Sequence, residues 1–126
     1  MSTQKLLIID DEKVIRDTLR QMILHFGIEC DTAESGQVAI DFVAAGPEKY
    51  KAVFLDLSMP VMDGPDVLVR LNSLAPEIPV YIVSGYAGEE IEERLHNNRI
   101  SGTLPKPFKL LQLKEIIDEL ESEVVL

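Results

Sequence analysis

Lys51–Gly64 reads KAVFLDLSMPVMDG, and this stretch decides the fold. Val53, Phe54 and Leu55 form a continuous apolar run, as a strand buried on both faces of a sheet requires, and the run stops at Asp56. Pro60 and the Asp63-Gly64 pair then turn the chain. Asp56 is therefore expected at the carboxyl end of a buried strand, at the mouth of a loop, where a carboxylate is poised for chemistry.

Two similar runs lie on either side. Leu6–Ile9 ends in Asp10-Asp11-Glu12, and Val80–Val83 ends in Ser84-Gly85. A shorter strand over 102–104 is cut by Pro105 and followed by Lys106-Pro107, and a weaker alternation over 28–32 predicts a strand nearer the sheet edge. Helical spacing separates the strands. Ile15, Leu19, Met22, Ile23 and Phe26 mark a first helix closed by Gly27, and Ser35 is placed to cap a second that carries Ala39, Phe42 and Val43 up to Gly46. Val67, Leu68 and Leu71 mark a third, ending before Pro76. A fourth, Glu89–Asn97, is acidic on most faces, with Ile91 and Leu95 as its apolar pair. Leu110, Leu113, Ile116, Ile117 and Leu120 form one stripe on a fifth, running from Lys109 to Ser122.

Five strands alternating with five helices predict an α/β fold, a parallel sheet with helices on both faces. In such sheets the carboxyl ends of the strands line the ligand crevice. Four of those ends here bear Asp10-Asp11, Asp56, Ser84 and Lys106.

The chain of 126 residues fits one domain, with its core over about residues 5–122. No apolar run approaches the roughly 20 residues that span a bilayer, and the first residues lack a secretory pattern, so a cytoplasmic address is expected. Cys30 is the single cysteine, which excludes an internal disulfide and a cysteine-based metal cage. The net charge of −10 disfavours direct binding to nucleic acid or an anionic membrane, both of which need Lys and Arg against phosphate. His25 and His96 fall near predicted helix ends and read as surface residues, not as phosphodonors.

Asp10 and Asp11 could simply open a helix, where acidic side chains suit the macrodipole. That leaves Asp56 unexplained. Two unit charges 4 Å apart repel by roughly 4 kcal/mol at an effective dielectric of about 20, and a hard divalent cation relieves this. Mg²⁺ is the expected ion, and Mn²⁺ suits the same oxygen donors. With a cation bound, a carboxylate can attack phosphorus and form an aspartyl phosphate, with Lys106 and Ser84 answering the charge of the phosphoryl oxygens.

IIDDE, VFLDLSMPVMDG, VSGY and LPKPF together resemble the successive motifs of the receiver (CheY-like) domain of two-component response regulators, from Lys5 to about Leu120. The resemblance implies a flavodoxin-like (βα)5 three-layer sandwich whose five-stranded parallel sheet has the order 2-1-3-4-5. It further implies Asp56 as phosphoacceptor, Asp10, Asp11 and Asp56 with the main-chain carbonyl of Ser58 as Mg²⁺ ligands, and Ser84 as switch hydroxyl. Lys106 would bind the phosphoryl group, with a cis bond before Pro107. The implied phosphodonor is a sensor histidine kinase or a histidine phosphotransfer protein. The implied downstream partner surface is the face of the fourth helix, fifth strand and fifth helix, in a monomer or a phosphorylation-dependent dimer.

The sequence departs from that pattern at Thr103, where such domains usually carry Tyr or Phe, and Tyr86, two residues after Ser84, is expected either to take over part of the switch role or to shield the phosphoryl group from water. Three rivals remain at this level. The chain could be the receiver portion of a hybrid sensor kinase or longer regulator, or a metal-dependent phosphatase using Asp56, though Ser58 stands where such enzymes keep a general acid. The third is a docking module indifferent to phosphorylation.

Overall fold

The computed structural model describes residues 4–57, 64–85 and 100–122. In chain order these form β1 (Lys5–Ile9), α1 (Lys13–Leu24), β2 (Cys30–Ala33), α2 (Gly36–Ala45), a 3₁₀ turn (Pro47–Lys49), β3 (Tyr50–Asp56), α3 (Gly64–Leu74), β4 (Val80–Ser84), β5 (Gly102–Pro105) and α4 (Leu110–Ser122). All pairings are parallel, and the sheet order is β2-β1-β3-β4-β5. This is the doubly wound, flavodoxin-like arrangement expected from the sequence. The helix expected over Glu89–Asn97 lies outside the described residues.

The continuous apolar runs are explained by the period-two alternation of a strand. Leu7, Ile9, Val53, Leu55, Val80 and Ile82 face one way and pack on Ala39 and Val43 of α2 and on Val67, Leu68 and Leu71 of α3. Leu6, Ile8, Phe54, Tyr81, Val83 and Leu104 face the other way, against Leu19 and Ile23 of α1 and Leu113, Ile116, Ile117 and Leu120 of α4. Two separate cores thus clamp the central strand β3 from both faces, and Asp56 stands at its end.

Local chemistry sets the helix limits. Ser35 Oγ accepts a hydrogen bond from the Val38 amide at 3.3 Å, capping α2, a contact worth about 1 kcal/mol. Gly27, at φ 82°, adopts the left-handed conformation that a side chain resists, and its amide donates to the Leu24 carbonyl, closing α1.

The apolar pattern misplaces some details. Phe42 is 37% exposed, because α2 buries the line Gly36, Ala39, Val43 and Phe42 falls beside it. Leu110 is 46% exposed, since the first turn of α4 precedes contact with the sheet, and its buried stripe starts at Leu113. β2 begins two residues later than the alternation indicated and ends at Ala33, at the edge. Pro105 does not cut β5 but ends it, paired with Ser84. β5 is an edge strand. The Lys106 amide turns inward to the Ser84 carbonyl at 2.9 Å, so the missing N–H of Pro105 falls on the outer side, where no ladder bond is lost.

At the opposite end of the sheet from Asp56, the Tyr50 hydroxyl donates to Asp31 Oδ2 at 2.8 Å and Lys5 Nζ donates to Asp31 Oδ1 at 3.3 Å. This ties together the starts of β1, β2 and β3. Burial, then the hydrogen bond and charge of Asp31, push the Tyr50 phenol above its ordinary value near 10. A raised value means that the neutral phenol is the form the fold favours, so its contribution is complete below pH 10 and is lost as pH rises through the folded-state value. Tyr50→Phe is expected to lower the unfolding free energy by about 1–2 kcal/mol at neutral pH and to flatten the alkaline loss of stability. Denaturant titrations at neutral pH and above pH 10 check both. Cys30 is partly buried, and desolvation pushes its thiol up to about 12, so it is a packing residue rather than a nucleophile.

Candidate functional site

Strand register assembles the site. Ile9 pairs with Leu55, so Asp10, one residue on, comes level with Asp56. Asp56 pairs with Val83 and Ser84 with Pro105, so Ser84 and Lys106 follow at the ends of the next two strands. Asp10 and Asp56 each follow a residue of the same core face, and Lys106 stands two residues beyond Leu104 of the opposite core. Continued alternation therefore sends all three side chains to the same side of the sheet.

The carboxylates of Asp10, Asp11 and Asp56 each offer one oxygen within 4.8 Å of the other two. Lys106 Nζ lies 3.4 Å from Asp56 Oδ1 and 3.5 Å from Asp10 Oδ2. Asp10 is 1% and Asp56 3% exposed, and Ser84 is equally buried, while Asp11 is exposed. Asp56 is thus more enclosed than a loop mouth suggested. Its strand is central, flanked by β1 and β4, and Lys106 reaches over it. The exposed member of the triad is Asp11, so the cluster opens to solvent on that side.

Burial pushes the Asp10 carboxyl above its usual range. The Glu12 amide, donating to Asp10 Oδ1 at 2.9 Å, and the Lys106 charge pull it down, but repulsion from Asp56 and Asp11 adds to burial and the net shift is upward. For Lys106, burial opposes the charge, but Asp56 and Asp10 outweigh it and hold the ammonium above its ordinary value. The lysine is therefore a permanent cation at neutral pH.

Asp10 Oδ2 is buried and accepts no hydrogen bond, and Lys106 at 3.5 Å is an ion-pair neighbour at the limit of bonding distance. A buried carboxylate oxygen left in this state costs free energy. With three convergent carboxylate oxygens, the residues present fit a hard, oxygen-loving divalent cation.

The other expected site residues fall as follows. Ser84 ends β4, and its carbonyl accepts from the Lys106 amide. The Lys106–Pro107 bond is cis. Thr103 is exposed on β5, paired with Ile82, and the large aromatic nearby is instead Tyr81, buried with its ring 5.7 Å from Phe54. A Cβ at Gly102 would come within 3.1 Å of the Tyr81 ring, which is why only glycine fits there without displacing it. Ser58 and Tyr86 lie outside the described residues. One contact escapes the apolar pattern altogether: Arg16 Nη1 donates to the Asp10 main-chain carbonyl at 2.9 Å. The only sequence signal for it is a cation on the second turn of the helix that follows the acidic pair.

A doubly wound α/β sheet with acidic, hydroxyl and ammonium groups gathered at its carboxyl-terminal strand ends belongs to the class of open α/β proteins whose ligand crevice lies at those ends. Within that class, the profile of the response regulator receiver domain matches residues 6–118, and the chain belongs to that family. It is 31% identical over 111 residues to the response regulator MprA of Mycolicibacterium vanbaalenii, covering 86% of this chain and 46% of that protein. It is also 31% identical over 112 residues to the peroxide stress-activated histidine kinase mak3 of Schizosaccharomyces pombe, covering 83% of this chain and 5% of the kinase. Among solved structures, the receiver domain of a sensor histidine kinase from Pseudomonas aeruginosa superposes with a TM-score of 0.84 at 21% identity, covering 94% of this chain and 98% of that one. That structure holds a magnesium ion in its active site cleft. The chain spans about half the length of the curated response regulator it matches and a small fraction of the kinase. No helix among the described residues is long and apolar enough to cross a membrane.

Proposed function

We propose that this receiver domain accepts a phosphoryl group on Asp56 in a divalent-cation-dependent reaction and transmits that event by changing its binding surface. The observation that carries the reading is the convergence of three carboxylate oxygens within 4.8 Å beside Lys106, with Asp10 Oδ2 buried and accepting no hydrogen bond. In this reading an oxygen of Asp56 attacks the phosphorus of a phosphohistidine on a sensor kinase or phosphotransfer protein. The new O–P bond forms as the N–P bond breaks, and its electron pair stays on the imidazole nitrogen. Lys106 exchanges its contact with Asp56 Oδ1 for one to the incoming phosphoryl oxygens, and the Ser84 hydroxyl donates to another. Asp10, Asp11 and Asp56, with the Ser58 carbonyl, would hold Mg²⁺ or Mn²⁺, which would supply positive charge against both the carboxylates and the transferred group. Domains of this kind interact with histidine kinases and downstream effectors. Here we assign the downstream contact to segment 89–97, β5 and α4, and the switch role to Ser84, Tyr86 and Thr103. We read the chain as a signalling domain rather than a turnover enzyme, acting in the cytoplasm as one unit over residues 5–122, alone or within a longer protein.

The reading is tested by incubating the protein with acetyl phosphate and reading its intact mass. One phosphoryl group per chain is expected with Mg²⁺ and none with a chelator. No mass increment under either condition would overturn it.

A further inference from the structure

We infer that Arg16 is a positioning residue for the cation site: by holding the Asp10 carbonyl it fixes the peptide that aims the Asp11 carboxylate at the ion. The inference rests on the reading of the crevice as a Mg²⁺-dependent phosphoacceptor site.

The bonds around Asp10 carry the argument. Its amide donates to the Ala33 carbonyl at 3.1 Å, the last ladder bond of β1. Its side-chain Oδ1 accepts from the Glu12 amide. Its carbonyl has left the ladder and would be an orphan at the strand end, but the half-buried Arg16 guanidinium takes it at 2.9 Å. Every polar atom of Asp10 is thereby fixed except Oδ2, the one turned toward Lys106. Asp11 differs. It is exposed, and among the described residues no hydrogen bond or ion pair holds its carboxylate. Only its own χ rotation and its backbone place it, and the origin of its Cα–Cβ bond is set by the planar peptide joining it to Asp10, whose carbonyl oxygen is the atom Arg16 grips. A guanidinium on the second turn of α1 also locks that helix to the end of β1, and so sets the angle at which the Asp10-Asp11 turn enters the crevice.

Charge alone predicts the opposite effect. A guanidinium near a cation site repels the ion, so if Arg16 acted only through its charge, removing it would tighten Mg²⁺ binding. Positioning predicts weaker binding, by about tenfold or more, the range typical when the group orienting a metal ligand is removed.

The test compares wild type, Arg16→Ala, Arg16→Gln and Arg16→Lys by calorimetric Mg²⁺ titration, with the chelated Tm of each as a control for folding. The expected result is a Mg²⁺ Kd weakened about tenfold or more in Arg16→Ala, partial rescue by the neutral donor of Arg16→Gln, and little rescue by the point charge of Arg16→Lys. If Arg16→Ala does not fold, Arg16→Lys decides, because it keeps the charge and loses the planar fork: Mg²⁺ binding weaker than wild type supports positioning, and binding equal to or tighter than wild type overturns it. A Kd in Arg16→Ala equal to or tighter than wild type, at comparable chelated Tm, overturns the inference alone. Failure of wild type itself to bind Mg²⁺ overturns it together with the functional reading.

Discussion

Asp56→Asn should leave the protein folded yet unable to take up a phosphoryl group from acetyl phosphate, and Lys106→Ala should slow that uptake by about 10²–10³-fold. The first substitution removes the nucleophile: an amide oxygen cannot form the acyl phosphate, and the asparagine fills the same space at the end of β3. The second leaves the nucleophile and removes the ammonium that stands 3.4 Å from it. In the metal-free state that ammonium is the main counter-charge to two buried carboxylates, and during transfer it meets the oxygens that gather negative charge. Time courses of intact mass, with Mg²⁺ held constant, separate the two effects. Uptake persisting in Asp56→Asn would move the acceptor elsewhere. An unchanged rate in Lys106→Ala would mean that the cation alone neutralises the transferred group. The same Asp56→Asn protein distinguishes a switch from an indifferent docking module, because a module would bind its partner as well in Asp56→Asn as in wild type treated with acetyl phosphate, and a switch would not.

The second large effect concerns stability without metal. Asp10 carries a raised folded-state value, so its charged form opposes folding. The stability associated with its neutral form is complete below the ordinary carboxyl value of 3.8 and is lost as pH rises through the folded-state value. At neutral pH the metal-free protein therefore bears a cost from Asp10. Asp10→Asn keeps the acceptor for the Glu12 amide and removes the charge. We expect it to raise the Tm of the chelated protein by several degrees, equivalent to about 1–2 kcal/mol once the lost attraction to Lys106 is subtracted. Wild type should gain about 2.7 kcal/mol when Mg²⁺ reaches a hundred times its Kd, whereas Asp10→Asn should gain much less. Thermal scans with chelator and with Mg²⁺, on both proteins, read the difference directly. A wild-type Tm indifferent to millimolar Mg²⁺ would rule out the three-carboxylate cation site.

Most of the architecture was legible because it rests on two periods. Leu6–Ile9, Val53–Leu55 and Val80–Val83 are apolar at every position, a pattern that only a strand covered on both faces needs, and the structure buries all of them. The site was legible for the same reason: polar residues that interrupt such runs at the same end of several strands must meet. The misses are tertiary. Phe42 and Leu110 satisfy the helical period but sit where no neighbour covers them, and periodicity alone cannot tell which apolar residue a packed layer reaches. The enclosure of Asp56 follows from its being on the central strand with Lys106 above it, and that height is set by the course of the chain after β5. Arg16 and Tyr81 depend on single contacts across elements, which leave no periodic trace.

The rims of the sheet have a further bearing on how this domain can meet other molecules. β2 and β5 offer only four residues each, the first holding Asp31 in a bonded charge cluster and the second finishing in a proline. Rims this short, one of them ending in proline, are poor templates for an added strand, which disfavours both fibril growth and β-augmentation. In the proposed reading, recognition then falls to side chains on helix faces, on the outer side of β5 and on the loops around the crevice, so that a partner would read the domain without adding to its sheet.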